Sequence, residues 1–384
     1  MTQPISNQKD LKAALQLAIG LELSTIPVYL TALYSIKDGC NTDAAQTIRS
    51  VVMEEMLHMT LAANVLNALG QVPSPDPVEF QGRRNLSPIP DYPLNSPLIS
   101  GIGTLELLPF CPEAVAGFVE IEHPLHGAAN LADIDIAGCS YRTIGEFYEA
   151  ILTALNDKKI CKDSDFAKNS AQIPDSEYYG GAGHVVEVTD RASARRAIQK
   201  IVDEGEGLPE KCLRQEAKKV TDEDRLHSGW QMYSHYARFR ELQTGRRFRT
   251  HQLANQVPEG ALLLVDYSAV HPALYTRRNG TTGGPEAVAL NQFDLTYSRL
   301  VDDLYLAFAG VEKVYDNSVR VPATALQSAV HGMYALKNRA VALMRTPDPA
   351  HPGHTLCPRF SYVPPGGERD KLSALTQELR EQQG

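Results

Sequence analysis

Apolar residues recur every three or four positions between Asp10 and Lys37, and Leu11, Leu15, Ala18, Ile26, Tyr29 and Leu33 on one face predict a helix. Glu22 sits inside that stripe. Pro27 lies in the same segment and predicts a kink just beyond Glu22, because proline removes one backbone donor. A second helix is predicted over Asp43–Leu69, with Asn41 or Thr42 as N-cap and Gly70 just past its end. Its stripe of Ile48, Val51, Glu55, His58, Ala62, Val65 and Leu69 is again broken by polar residues.

From Gln71 to Pro112 nine prolines and little periodicity predict a long, stiff crossover. Short helices follow at Pro112–Glu122 and, behind Thr143, at Ile144–Asn156, and the stretch Asp157–Val188 reads as polar and irregular. A fourth clear helix starts after Thr189 or Asp190 and carries Ala194, Ile198, Val202 and Glu206 before Gly205, Gly207 and Pro209 disrupt it. A fifth, Asp222–Leu242, aligns Met232, His235, Phe239 and Leu242. In the Gly- and Pro-bearing residues 247–284, Ala261–Val265 predicts a short strand. Two amphipathic helices, Ala287–Ala309 and Pro322–Met344, close the fold, the second with Pro322 in its first turn. The expected class is mainly α: a four-helix bundle with a long crossover and additional C-terminal helices, one domain over residues 1–363, followed by a charged tail, 364–384.

Composition narrows the function. The 384 residues are 43% apolar and 22% charged with a net charge of −9, so neither a disordered chain nor a phosphate-binding surface is expected. No nucleic acid is implied as a partner. The start, MTQPISNQKD, has no basic segment before an apolar run, and no uninterrupted apolar stretch approaches the roughly 20 residues that span a bilayer. The expectation is a cytoplasmic chain with no membrane partner. Cys40, Cys111, Cys139, Cys161, Cys212 and Cys357 form no CxxC pair, and reduced thiols are expected. Gly181-Ala182-Gly183 fits no phosphate-binding fingerprint and there is no G-x-S-x-G elbow, which removes nucleotide-enzyme and hydrolase readings.

A buried carboxylate costs several kcal/mol unless it is paired or holds a metal, so Glu22, Glu55, His58, Glu206 and His235 on core stripes call for a common explanation. Glu55 and His58 stand one turn apart on one helix face, where both can converge on one ion. In an antiparallel hairpin, residues at one height are separated by twice their distance to the turn. Glu22 precedes Glu55 by 33 positions and Glu206 precedes His235 by 29, so both hairpins bring their polar residues to about one level. Single-Glu helices alternating with Glu-x-x-His helices build the carboxylate-bridged sites of ferritin-like bundles. These five residues are the candidate metal ligands, with Glu55 and His58 as the candidate catalytic centre. Glu54 points about 100° away from Glu55 and is expected outside the ligand shell. Glu146, three residues after Thr143, is explained by a capping box. Glu120 and Glu122 are expected as surface or supporting groups, one of the tyrosines near the seam as a partner for a ligand carboxylate, and Arg238 on a solvated face.

The chain resembles the ferritin-like domain of the iminophenyl-pyruvate dimer synthase family, also found in the chromopyrrolate-forming enzymes of violacein and rebeccamycin biosynthesis. The matching words are LELSTIPVYLTALYSI (Leu21–Ile36), EEMLHM (Glu54–Met59), FVEIEHP (Phe118–Pro124), TIGEFYEAI (Thr143–Ile151), IVDEGEG (Ile201–Gly207), SHYARF (Ser234–Phe239) and, loosely, CPRFSY (Cys357–Tyr362). The resemblance implies an iron-binding bundle and oxidative chemistry on amino-acid-derived substrates. One departure matters: a complete Glu-x-x-His on the last bundle helix needs Glu at position 232, where this chain has Met232. Five ligands with three carboxylates incompletely neutralise two divalent ions, so a weaker second site is expected.

The reading is a non-haem iron oxidoreductase, with one or two Fe per chain (or Mn) and with O₂ and an amino- or imino-acid-derived small molecule as partners in secondary metabolism. Glu55 bridges or anchors, Glu22 and Glu206 supply charge, and His58 and His235 orient the metals. The alternatives are a non-catalytic, ferroxidase-type iron-binding relative of ferritin and a bundle whose site has degenerated.

Overall fold

A computed structural model describes residues 4–124, 141–167, 170–178, 183–205, 233–249, 252–253, 255–277, 284–314 and 322–381. Helix α1 spans Gln8–Ser35; the Asn7 side chain caps it by accepting from the Asp10 amide at 2.8 Å. Pro27 lies within α1 without ending it. Helix α2 spans Thr42–Ala68, with Asn41 at its N-cap and Gly70 left-handed (φ 77°) beyond its end. Asn41 does not cap with its side chain; the residue is itself left-handed, and its amide group bonds both backbone groups of Asp266 at 2.7 and 2.8 Å.

The two long helices pack on each other along their length and form the centre of the molecule. Burying each leucine or isoleucine of their shared face contributes about 1.5–3 kcal/mol, which explains why this hairpin dominates the core. Helix α1 is by length and composition apolar enough to cross a membrane, although Lys12, Gln16 and Glu22 interrupt it, and 83% of its most apolar window is buried inside the protein. It is a core helix here.

The crossover is not wholly irregular: β1 (Val78–Phe80) and β2 (Arg83–Leu86) form a small antiparallel pair. It then lies directly on α1. A Cβ at Gly20 would stand 2.5 Å from the Pro88 carbonyl oxygen, and the Tyr92 hydroxyl donates to the Ser24 carbonyl at 2.6 Å. Glu22 therefore sits on a stretch of α1 fixed from both sides.

Among the described residues, four shorter helices flank the central hairpin. Helix α3 (Pro112–Ile121) packs on α6 (His235–Thr244), and α4 (Ile144–Asn156) packs on α5 (Arg191–Glu204); α3 and α4 touch α1, while α5 and α6 touch α2. Asp190 and Ser193 form a reciprocal capping box that starts α5 at the predicted place. The N-terminal part of the predicted Asp222–Leu242 helix, Met232 included, lies outside the described residues.

On the other side, α7 (Gly284–Phe308) and α8 (Ala325–Met344) pack together and touch α2 and α1, and α9 (Gly367–Glu381) lies on α7, so the charged C-terminal segment is helical. Two expectations fail here. Pro322 does not open α8; it belongs to β5 (Pro322–Thr324), paired antiparallel with β4 (Glu312–Val314), because a strand partner overrides the first-turn preference of proline. Ala261–Val265 forms no strand and makes only an isolated bridge through Leu262, leaving Leu262 and Leu264 exposed. The remaining short pair joins β3 (Ala273–Leu274) to β6 (Thr355–Leu356). Cys40, Cys111, Cys161 and Cys357 are free thiols, as expected, while Cys139 and Cys212 lie outside the described residues.

Candidate metal centre

Helical spacing places Glu22, Thr25 and Tyr29 on one face of α1, and Glu55 and His58 on the opposing face of α2. All five are buried. His235 enters as the first residue of α6 and is fully buried; its amide donates to the Gly205 carbonyl at 3.0 Å, which ties the start of α6 to the end of α5. Glu122 stands at the C-cap of α3.

These elements converge. His58 Nδ1 lies 3.5 Å from Glu22 and 3.9 Å from Glu55, while His235 Nδ1 lies 2.9 Å from Glu55 and 3.5 Å from Glu122. Ligand atoms of Glu55, His58 and His235 all fall within 4.8 Å of one another. The two imidazole rings stack at 5.4 Å between centroids. Glu55 thus sits between two half-sites, one of Glu22 and His58, the other of Glu122 and His235.

The far nitrogens are held in the same way on both sides. His58 Nε2 faces Glu204 at 3.2 Å, and Lys200 donates to the other oxygen of Glu204 at 2.6 Å. His235 Nε2 faces Glu54 at 2.8 Å, and Arg238 donates to the same carboxylate at 2.6 Å. A carboxylate behind each imidazole fixes the ring and keeps Nδ1 as the ligand atom, the arrangement that supports metal-bound histidines. The cluster carboxylates are oriented too: Thr25 donates to Glu55 at 2.7 Å, Tyr29 to Glu122 at 2.6 Å, and Tyr148 makes a short bond to Glu22.

Charge and hydrogen bonding both point to a cation. Five buried carboxylates (Glu22, Glu54, Glu55, Glu122, Glu204) face two cationic side chains, Lys200 and Arg238, so with neutral histidines the cluster carries three negative charges in excess. His58 is drawn down by burial, but bonds from Glu204 and Glu22 and the nearby carboxylate charges outweigh this and leave it pushed up to about 9. For His235 the same contest, with Glu122 the strongest opponent of burial, ends well above the ordinary imidazole value. Burial, and next the charge of Glu22, raises Glu55. The Nδ1 of His235, although 2.9 Å from Glu55, is out of line for donation and has no hydrogen-bond partner. A buried nitrogen left unpaired among carboxylates fits a metal ligand, and the hard, mixed O/N donor set suits iron or manganese.

The structure brings together Glu22, Glu55, His58 and His235. Glu206 lies outside the described residues. Beside Glu55, the carboxylate facing His235 is Glu122, a residue expected from the sequence at the surface or in a supporting role. Its signal was present, since Val115, Phe118 and Glu122 continue one stripe, but α3 is short and the alternating FVEIEH run masks its period. Glu54 does not face solvent: it is buried because Arg238, also buried rather than solvated, packs over it from α6. Glu146 stays in the first turn of α4, its amide capped by Thr143 and its carboxylate paired with Arg142. Two tyrosines rather than one reach the cluster. Beside the cluster is a cavity of about 20 Å³ walled by Leu21, Ile144, Ile201 and Gly205.

Comparison with known proteins agrees with this architecture. No curated protein matches the sequence. A ferritin-like protein from Caulobacter vibrioides shares the fold with a TM-score of 0.58 at 21% identity, covering 94% of this chain and 100% of that one. The profile of the family described as ferritin-like matches residues 15–244, the span from α1 to the end of α6 that holds every residue of the cluster, and the chain belongs to that ferritin-like family.

Proposed function

We propose that the protein is a non-haem iron oxidoreductase whose centre is held by Glu22, Glu55, His58, Glu122 and His235, with Glu55 shared between two metal positions. The observation that carries this reading is the pair of buried imidazoles presenting Nδ1 to three carboxylates, one of them with no other partner. Iron, or manganese, bound there would supply redox chemistry with O₂. The chain's own residues do the rest. Glu204 with Lys200 and Glu54 with Arg238 lock the imidazoles, while Thr25, Tyr29 and Tyr148 donate to the ligand carboxylates and fix which oxygens face inward.

Charge also bears on the substrate. Two divalent cations set against Glu22, Glu55 and Glu122 leave one net positive charge, which favours an anionic partner such as the carboxylate of an amino or imino acid. The resemblance to the iminophenyl-pyruvate dimer synthase family supports the same class, in secondary metabolism. The free thiols fit a reducing, cytoplasmic setting. Gly205 matters for access: a Cβ there would lie 3.8 Å from both His58 Cε1 and Glu122 Oε2, so any longer side chain would enter the centre.

A second reading, substrate-independent iron oxidation, draws on the size of the adjoining cavity, which at about 20 Å³ takes a water-sized group and no organic substrate. Metal analysis of the purified protein, then anaerobic Fe(II) loading and O₂ exposure with and without candidate amino acids, separates them. Substrate-coupled O₂ uptake supports the oxidoreductase. Iron oxidation indifferent to every added acid supports the ferroxidase, and no bound metal defeats both.

A further inference from the structure

The opposite faces of α1 and α2 border a second, much larger space, a cavity of about 590 Å³ closed on its far side by α7 and α8. None of the carboxylate–histidine residues lines it, and it shares no wall residue with the small cavity beside the metal centre. Its size lies within the range of about 300–1000 Å³ that takes drug-sized ligands. At roughly 30 Å³ for a water-sized group it has room for about twenty such groups, the size of a C16–C18 chain with its carboxylate.

Two features of the wall define an occupant. The interior is mainly apolar, with aromatic rings such as Tyr297, Phe308 and Phe360 among aliphatic side chains, and it is adaptable: Met53, Met56 and Met59 of α2 face Met333 of α8, and thioether chains reshape readily around flexible apolar ligands. On α8, the stripe Leu326, Val330, Met333 and Val341 is only half-buried because it borders this space instead of protein. The charge is one-sided. Lys37, Arg49, Lys337 and Arg345, all exposed, belong to the lining, with Asp38 as their one acidic counterpart, on a chain of net charge −9. Asp38 is already bonded to Arg345 at 2.5 Å, and among the described residues no carboxylate lies within ion-pair distance of Lys37, Arg49 or Lys337, although Lys37 also acts on Asp266 through its charge.

We propose that this cavity binds an elongated apolar monocarboxylate of fatty-acid type, its chain between α2 and α8 and its carboxylate at the Lys37, Arg49 and Lys337 rim. A phospholipid does not fit the assignment, because two acyl chains exceed the space. The site is independent of the metal centre, so it stands or falls separately from the oxidoreductase reading.

The test uses the full, delipidated chain titrated with cis-parinaric acid, followed by displacement with palmitic acid and with methyl palmitate. Expected are saturable one-to-one binding, displacement by palmitic acid, and at least tenfold weaker displacement by the uncharged ester. Val330→Trp should fill the space and abolish binding. Arg49→Glu and Lys337→Glu, both at exposed positions, should each weaken it by about tenfold with unchanged circular dichroism and metal content; these two variants keep the test informative if the tryptophan variant fails to fold. Any one of four results overturns the proposal: no saturable binding by the folded wild type, equal displacement by acid and ester, no effect of the rim variants, or recovery of phospholipid as the bound lipid. A change from dimer to monomer in Val330→Trp with fatty-acid affinity intact would also overturn it, since a second copy would then cover this face.

Discussion

The two faces of the α1–α2 hairpin solve opposite problems with neighbouring residues. Glu22 looks into the charged centre while Leu23 borders the apolar cavity, and Glu55 and Met56 divide in the same way. On the charged side most polar atoms have a specified partner, so geometry is fixed by hydrogen bonds such as those of Thr25, Tyr29 and Arg238 at 2.6–2.7 Å and by the longer contacts of the imidazoles. On the apolar side there are few directional contacts and a large empty volume bordered by flexible methionines. Rigidity on one face and adaptability on the other coexist because side chains one position apart on a helix point about 100° apart and scarcely interact.

Substitutions can break this division, and their effects should be graded. Largest is the loss of a ligand. Glu55→Ala and His58→Ala should each lower metal affinity by more than the about 10–100-fold that a supporting residue costs, with helical content and parinaric-acid binding unchanged. Full metal content in either variant by elemental analysis would remove the residue from the centre. Next is Arg238→Met, which takes a buried cationic partner away from Glu54 while its contact with His235 remains. A destabilisation of about 3–5 kcal/mol is expected in urea unfolding of the metal-free protein, and an unchanged midpoint would mean that Glu54 is not held as described.

A sharper contrast comes from two carboxylates on neighbouring elements. Glu122→Gln should reduce tightly bound Mn(II) toward one ion per chain in an anaerobic titration, whereas Glu146→Gln should leave the stoichiometry as in the wild type, because Glu146 is occupied with Arg142. The reverse outcome would exchange their roles. Smallest is Met56→Leu in the cavity wall, a near volume-conserving swap expected to cost less than about 1.5 kcal/mol and to leave metal content untouched. A thermal shift larger than this, or metal loss, would show that the two faces are coupled.

Much of this arrangement is legible in the sequence where the helices are long. Glu22, Glu55, His58 and His235 stand out because each interrupts an apolar stripe of clear period, and Asp190, Thr143 and Gly70 mark helix ends by local chemistry that tertiary packing does not alter. The rest depends on contacts that spacing does not encode. Hairpin arithmetic cannot find Glu122, because α3 reaches the centre from across the crossover rather than from the paired hairpin. Glu54 reads only as lying outside the ligand shell, and its place behind His235 is set by Arg238 arriving from α6, while Pro322 reads as a helix start until β4 pairs with its strand. A strand at Ala261–Val265 fails for the complementary reason, having the composition but no neighbour to complete a ladder.

The stitch between Gly205 and His235 has a consequence for how the centre is assembled. Glu22, Glu55 and His58 come from one hairpin, 33 positions apart, and are brought together as soon as α1 and α2 pair. Glu122 and His235 are separated by 113 positions and meet only when the α5 end and the α6 start have joined. Because non-local contacts are gained only after their loop-closure entropy has been met, the first half-site is expected to form before the second. The proposed centre would therefore have three of its five side chains in place before the other two, so a metal offered early would meet Glu22, Glu55 and His58 first.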